Sequence, residues 1–320
     1  MARSDPPPDD WQQRLRSTVT EYARTVKALE EAREEARSII ETAHDAFISI
    51  DADSLILEWN RRAEEIFGWT RADAVGRGLS DTILPAQHRD AHFAGIRTYL
   101  RTGQGPLLNR RVEVPAQHRA GHQFPVEMTI WPSAHAQGTR FNAFLHDISE
   151  RKRGERRTGA RYAAVCAMVE CDDPEAAVAR ILEEICVALQ WSLGVLWQVD
   201  EAAGVLRATA YHARSEQARA FAAHDPVLSM APGIGLPGKV WQACTPSWLD
   251  DFASCDLPRT ARAAARGMHG AFAFPVVDGD RVRGVMEFLT HRVEPPDAAL
   301  LAMMRDIGQL LGHYLGRHGR

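Results

Sequence analysis

Between Trp11 and Ile40 the chain has neither glycine nor proline, and its apolar side chains fall at Leu15, Val19, Tyr22, Val26, Leu29, Ala36 and Ile40, in alternating steps of four and three. That spacing is a heptad seam, interrupted at one core position by Arg33. It predicts a helix over residues 11–44 that pairs with a second copy as a coiled coil. The alternative is an amphipathic helix laid on its own domain, because the seam spans under four heptads.

Beyond residue 45 the period shortens. Residues 46–51 and 55–59 are β-rich runs around an Asp51-Ala52-Asp53 turn. Asn60 is placed to cap a helix over 61–67, and Gly103 to end one over 85–102. Strands are expected at 107–115, 123–131 and 140–147, with Gly121 and Gly138 in the turns between them. A helical connector over 150–161 follows. Further on, 173–189 reads as an amphipathic helix, 193–199 and 205–211 as strands, and 232–241 as a glycine-rich turn opening a helix. Strands at 270–277 and 282–291 flank the hairpin turn Asp278-Gly279-Asp280. The closing helix repeats the four-three seam at Leu300, Met304, Ile307, Leu311 and Tyr314, which predicts that it too pairs across a two-fold axis.

A chain of 320 residues suits two domains of ordinary size, and 45% apolar with 25% charged residues is a globular composition. Residues 1–10, with Pro6, Pro7 and Pro8 beside three aspartates, are expected to be disordered. No apolar run reaches the roughly 20 residues of a membrane span, and no basic patch precedes an apolar leader. No membrane insertion and a cytoplasmic location are therefore expected. The five cysteines, Cys166, Cys171, Cys186, Cys244 and Cys255, show no Cys-x-x-Cys spacing and read as reduced thiols. A net charge of -4 argues against nucleic acid as a partner. The basic run Arg151, Lys152, Arg153, Arg156, Arg157 and Arg161 reads as a solvated linker, since no aromatic residue interleaves before Tyr162.

Three ordered blocks carry a family resemblance: Asp45-Ala46-Phe47-Ile48-Ser49-Ile50-Asp51 with Glu58-Trp59-Asn60-Arg61-Arg62-Ala63-Glu64, then Gly121-His122-Gln123-Phe124-Pro125-Val126-Glu127, then Asp147-Ile148-Ser149-Glu150-Arg151-Lys152. Residues 45–149 resemble a PAS domain. The turn Pro232-Gly233-Ile234-Gly235-Leu236-Pro237-Gly238, with Trp248-Leu249-Asp250-Asp251, residues 267–276 and Arg283-Gly284-Val285-Met286-Glu287-Phe288, makes residues 162–317 similar to a GAF domain. The resemblance implies an α+β fold: two sensory domains, each a central antiparallel sheet flanked by helices, behind an N-terminal coiled-coil helix. It also implies a homodimeric signal-transduction or two-component protein that binds a small-molecule ligand and acts on a separate signalling enzyme, a kinase or cyclase. The detached input module of a sensor histidine kinase is an alternative.

No enzymatic activity is expected, because Gly-x-Ser-x-Gly, His-Glu-x-x-His and lysine-bearing phosphate loops are missing. The letters Gly233-x-Gly235-x-x-Gly238 match a dinucleotide fingerprint, but no strand-turn-helix unit with a ribose-binding acid surrounds them.

In a PAS fold, His88, His92, Ile96 and Tyr99 share a helix face that turns toward the interior. Residues 89–96 are similar to the haem-ligating helix of rhizobial and enterobacterial oxygen-sensing PAS domains, which implies haem with His92 as proximal ligand to the iron. The arginine that reaches the gas in those sensors is replaced here by Val112. A zinc-type site on His88 and His92 lacks an identifiable third ligand. Non-covalent flavin over Trp59, Asn60 or Trp131 is the other cofactor weighed; cysteine-adduct photochemistry is excluded because no cysteine precedes Cys166. The GAF half lacks the Cys-His of bilin attachment and the asparagine-lysine-phenylalanine signature of cyclic nucleotides. Its ligand pocket is expected near Trp197, His269, Phe274 and Glu287. The resemblance to PAS domains implies signal relay at Asp147, which would tie the last PAS strand to the outgoing helix through Arg151 or Lys152.

Overall fold

The structure, a computed structural model, describes residues 9–136, 138–223, 228–252 and 259–318. The disorder expected of residues 1–8 and the thiol of Cys255 lie outside the described residues. Asp9 and Asp10, expected to be disordered as well, instead open the first helix. The chain divides into two units, the first ending at Glu150 and the second beginning at Arg151.

In the first unit, helix α1 (Asp9–Glu41) leaves its seam open: Leu15, Val19, Tyr22 and Leu29 are 56–72% exposed. The seam is therefore not laid on its own domain. Strands β1 (Ala46–Ile50) and β2 (Ile56–Trp59) are antiparallel. They lead into α2 (Arg61–Phe67), α3 (Arg71–Ala74), two short 3₁₀ turns and α4 (Arg89–Thr102). Strands β3 (Arg111–Gln117), β4 (Gln123–His135) and β5 (Gly138–Asp147) complete an antiparallel sheet of order β2-β1-β5-β4-β3. Ile48, Ile56, Trp59, Phe67, Val126 and Leu145 form its core. Helix α4 starts four residues later than the expected 85–102, because the chain first makes a 3₁₀ turn over Ala86–His88 behind Pro85.

Helix α5 (Ser149–Glu170) begins at the end of the first unit and continues into the second. There it packs Ala160, Ala164 and Ala167 beside α6 (Pro174–Leu189). Then follow β6 (Leu193–Asp200), β7 (Val205–Ala213), α7 (Glu216–Ala222), β8 (Ser229–Met230), α8 (Gly235–Ala243), β9 (Ser247–Leu249) and α9 (Thr260–Ala264). Strands β10 (Gly270–Asp278) and β11 (Arg281–Thr290) and helix α10 (Ala298–His318) close the fold. The sheet runs β8-β7-β6-β11-β10-β9, antiparallel throughout.

Side chains alternate across this sheet, so it is buried on both faces by two separate cores. On one face α5, α6 and α10 cover Trp191, Phe272, Phe274 and Phe288. On the other, α7, α8 and α9 cover Leu193, Val195, Trp197, Ala271, Ala273, Val285 and Leu289. The glycine-rich turn is structural: a Cβ at Gly238 would overlap the carbonyl oxygen of Ala231.

Helix α10 corrects one expectation. Leu300, Met304, Ile307, Leu311 and Tyr314 are all buried in the core of their own unit, so that seam is closed to a second copy. Four-three apolar spacing describes a core-facing helix as well as a coiled coil, and sequence pattern alone does not separate them.

Candidate functional site

The second unit buries a carboxylate in the middle of its sheet. Glu287 lies on β11 opposite Ala273 of β10 and Val195 of β6, in the strand phase that faces α7, α8 and α9. Trp197, diagonal to it on β6, donates from Nε1 to Glu287 Oε2 at 3.0 Å. The same oxygen accepts from Arg259 Nη1 at 2.6 Å, and the side chains of this pair are 8% and 3% exposed. The Arg259 guanidinium carbon stands 4.9 Å from the ring centre of Trp197 and 4.8 Å from that of Phe221, and Arg262 approaches Phe221 at 4.8 Å. Phe221, Met230, Leu236 and Phe252 join Arg259 and Glu287 around a cavity of about 10 Å³, enough for roughly one water. A charge taken out of water needs a partner, and here the acid has both an ion pair and a neutral donor.

Of the four residues expected in this pocket, Trp197 and Glu287 are brought together and two are not. Phe274 pairs with Met286, one residue out of phase with Glu287, and therefore points into the α6–α10 core on the opposite face. His269 lies just before β10, with Nδ1 3.5 Å from Asp251 at a site where the imidazole is 43% exposed. Arg259 was not anticipated. The signal for it was Glu287 itself: an acid inside Val285-Met286-Glu287-Phe288-Leu289, a run too apolar to face water, requires a buried cation from elsewhere.

The first unit arranges its expected site residues differently. His92 Nε2 is hydrogen-bonded to Ser54 Oγ at 2.7 Å; Ser54 is buried, and burial pushes the imidazole below its ordinary pKa. Ile96 is in the core and Tyr99 meets Phe141 edge-on at 5.3 Å. Val112 is half-buried on β3. His88 ends the 3₁₀ turn and is exposed, so it shares no buried face with His92. These residues do not fit a haem: the nitrogen that would meet the iron is committed to Ser54, and Ile96 and Tyr99 are packed into the core.

Flavin is not fitted by Trp59 and Asn60 either. Trp59 is fully buried and donates to Trp69 O at 3.0 Å. Asn60 Oδ1 accepts from Phe47 N and Ala63 N while Nδ2 donates to Ile40 O and Asp45 O. Trp131 packs in an aromatic cluster with Phe47 and Phe144, its ring tilted against both. Among the described residues no group of three His, Cys, Asp or Glu is placed to hold a metal ion, and no helix is long and apolar enough to cross a membrane.

Asp147 is the last residue of β5, two positions ahead of the start of α5 at Ser149. Its carboxylate accepts from the backbone and hydroxyl of Ser149 in an Asx turn that starts the helix. Arg151 and Lys152 reach Glu155, at i+4 and i+3.

Both units are antiparallel sheets with helices against them. The PAS fold family matches residues 34–148 and the GAF domain family residues 171–315. The chain is thus a PAS domain followed by a GAF domain. An uncharacterized protein of Azorhizobium caulinodans is 41% identical over 117 residues, 36% of this chain and 16% of its own length. The sensor protein FixL of Bradyrhizobium diazoefficiens is 27% identical over 139 residues, covering 43% and 27%. The cell-division control histidine kinase PdhS of Brucella ovis is 34% identical over 173 residues, covering 52% and 16%. The chain spans only 16–27% of the length of these relatives.

Proposed function

We propose that this chain is a cytoplasmic signal-transduction sensor without catalysis of its own, in which the GAF pocket around Glu287 binds a small molecule and the helices pass the change to a kinase or cyclase. The observation that carries this reading is the buried constellation of Glu287, Arg259, Trp197 and Phe221. It places charge inside an apolar core, which costs stability and is most readily explained by a ligand that uses it. A ligand shifts output only through differential affinity for two arrangements of the helices. The exposed seam of α1 supports a dimer as the frame in which those arrangements differ.

The name of PdhS, a histidine kinase, favours a second form of the same reading, in which the listening kinase is part of one longer protein. Both forms predict that the purified chain binds a metabolite and turns over neither ATP nor GTP. A thermal-shift screen of small metabolites, with a nucleotide-hydrolysis assay alongside, tests them. Nucleotide turnover abolished by a substitution in this chain would refute the non-catalytic reading.

A further inference from the structure

The two halves of the buried ion pair are held very differently. Glu287 sits inside β11, the fourth of six strands, paired on both sides, so its carboxylate cannot leave without breaking the sheet. Arg259 stands on a turn ahead of the five-residue α9, at φ +81°, a left-handed conformation that non-glycine residues rarely adopt. The fixed parts of the site are therefore a carboxylate and the faces of Trp197 and Phe221, which together make a cage for a cation. The cage is filled by the chain's own guanidinium. The space left beside it admits about one water, so a ligand larger than that enters only by replacing a side chain. The replaceable side chain is the cationic one. An anionic ligand would meet the immobile Glu287 carboxylate, and a neutral one would leave that carboxylate buried without a counter-charge.

We propose that the GAF site recognises a small organic cation bearing a guanidinium or alkylammonium group, with Arg259 as its built-in competitor. In the free protein Arg259 occupies the cage; the ligand's cation takes its place against Glu287, Trp197 and Phe221, and Arg259 is released to solvent. This rests on the pocket reading above and adds the ligand's charge and the side chain it displaces.

The probe is methylguanidinium chloride, titrated calorimetrically into the full chain, with sodium acetate at matched ionic strength as the control. Arg259→Ala empties the cage and should bind methylguanidinium about tenfold or more tightly than the unsubstituted chain does. Arg259→Ala/Glu287→Gln should lose that gain, and acetate should bind to none of them. Should Arg259→Ala fold poorly, recovery of its cooperative melting in millimolar methylguanidinium but not in equal sodium chloride is the same positive result. Equal methylguanidinium affinity with and without Arg259 overturns the proposal. Acetate binding to Arg259→Ala in preference to methylguanidinium overturns the cation class while leaving the pocket in place. If neither probe binds and no metabolite of any charge shifts the melting of either protein, the pocket reading falls as well.

Discussion

Asn60 shows how far a single residue is readable in advance. Its place before a helical stretch marks it as an N-cap, and Oδ1 does accept from Ala63 N at 2.9 Å. The same oxygen also takes Phe47 N, and Nδ2 binds Ile40 O and Asp45 O, which ties the end of α1 to the PAS core. Those three partners lie 13 to 20 residues away and leave no local pattern. Asn60→Ala removes a cap and strands buried backbone groups, so it should cost about 2–4 kcal/mol in urea unfolding of the PAS unit. Asn60→Asp keeps the acceptor and loses the donors, and should fall between. His92 gives a second test at this scale. Burial holds its imidazole below the ordinary value of about 6.5, and burial together with the charge of His122 does the same to His118. Below that value the unfolded chain takes up protons that the folded one resists. Stability is therefore intact above roughly pH 6.5 and falls as pH drops through the lowered folded values. The double variant His92→Gln/His118→Gln should flatten the melting temperature between pH 7 and 5, and an unchanged slope would contradict the assignment.

At the scale of elements, the kinds of helix and strand were legible and their facing was less so. The β-rich runs bounded by turn residues identified the strands of both units, and the Asp278-Gly279-Asp280 hairpin is where its turn residues put it. Facing failed where one pattern serves two environments. Strand β10 is apolar on both faces, so nothing in its composition distinguishes the phase of Phe274 from that of Ala273, and only pairing with β11 does. The seam of α10 is continuous with the core because Gly308 and Gly312 let the helix lie against the backbone of β10, where a Cβ would overlap Pro275 O and Val277 O. Gly312→Ala should therefore destabilise the GAF unit by about 1–3 kcal/mol through overpacking. Gly154→Ala, on α5 where the added Cβ would meet only the tip of Arg157 at an ordinary contact distance of 3.8 Å, should instead stabilise that helix by roughly 0.5–1 kcal/mol. Chemical denaturation of the two variants side by side separates crowding from helix propensity.

For the molecule as a whole, the question is which apolar surface the fold leaves for a partner, and the seams answer it differently from the sequence. The α10 seam is used internally; the α1 seam is open, and α5 adds an exposed apolar stripe at Tyr162, Val165 and Val169, too short to stand out as a heptad repeat. Three-to-four spacing of exposed apolar residues, on α1 in the first unit and on α5 in the second, suits pairing of each helix with its copy in an identical chain. Inside the GAF unit α5 is fixed to the start of α10: Arg157 donates to both oxygens of Asp297 at 2.9 Å, and Asp297 in turn accepts from Leu300 N. A change in how α5 pairs would thus be felt by the GAF unit. We expect the full chain to be a dimer by light scattering at tens of micromolar and to dissociate on dilution. Val19→Glu/Leu29→Glu should make it monomeric at the same concentration while leaving the melting of both units within about 0.5 kcal/mol, because those side chains touch no core of their own. A dimer that survives this pair of substitutions would move the interface to α5, where Tyr162→Glu/Val169→Glu makes the same measurement.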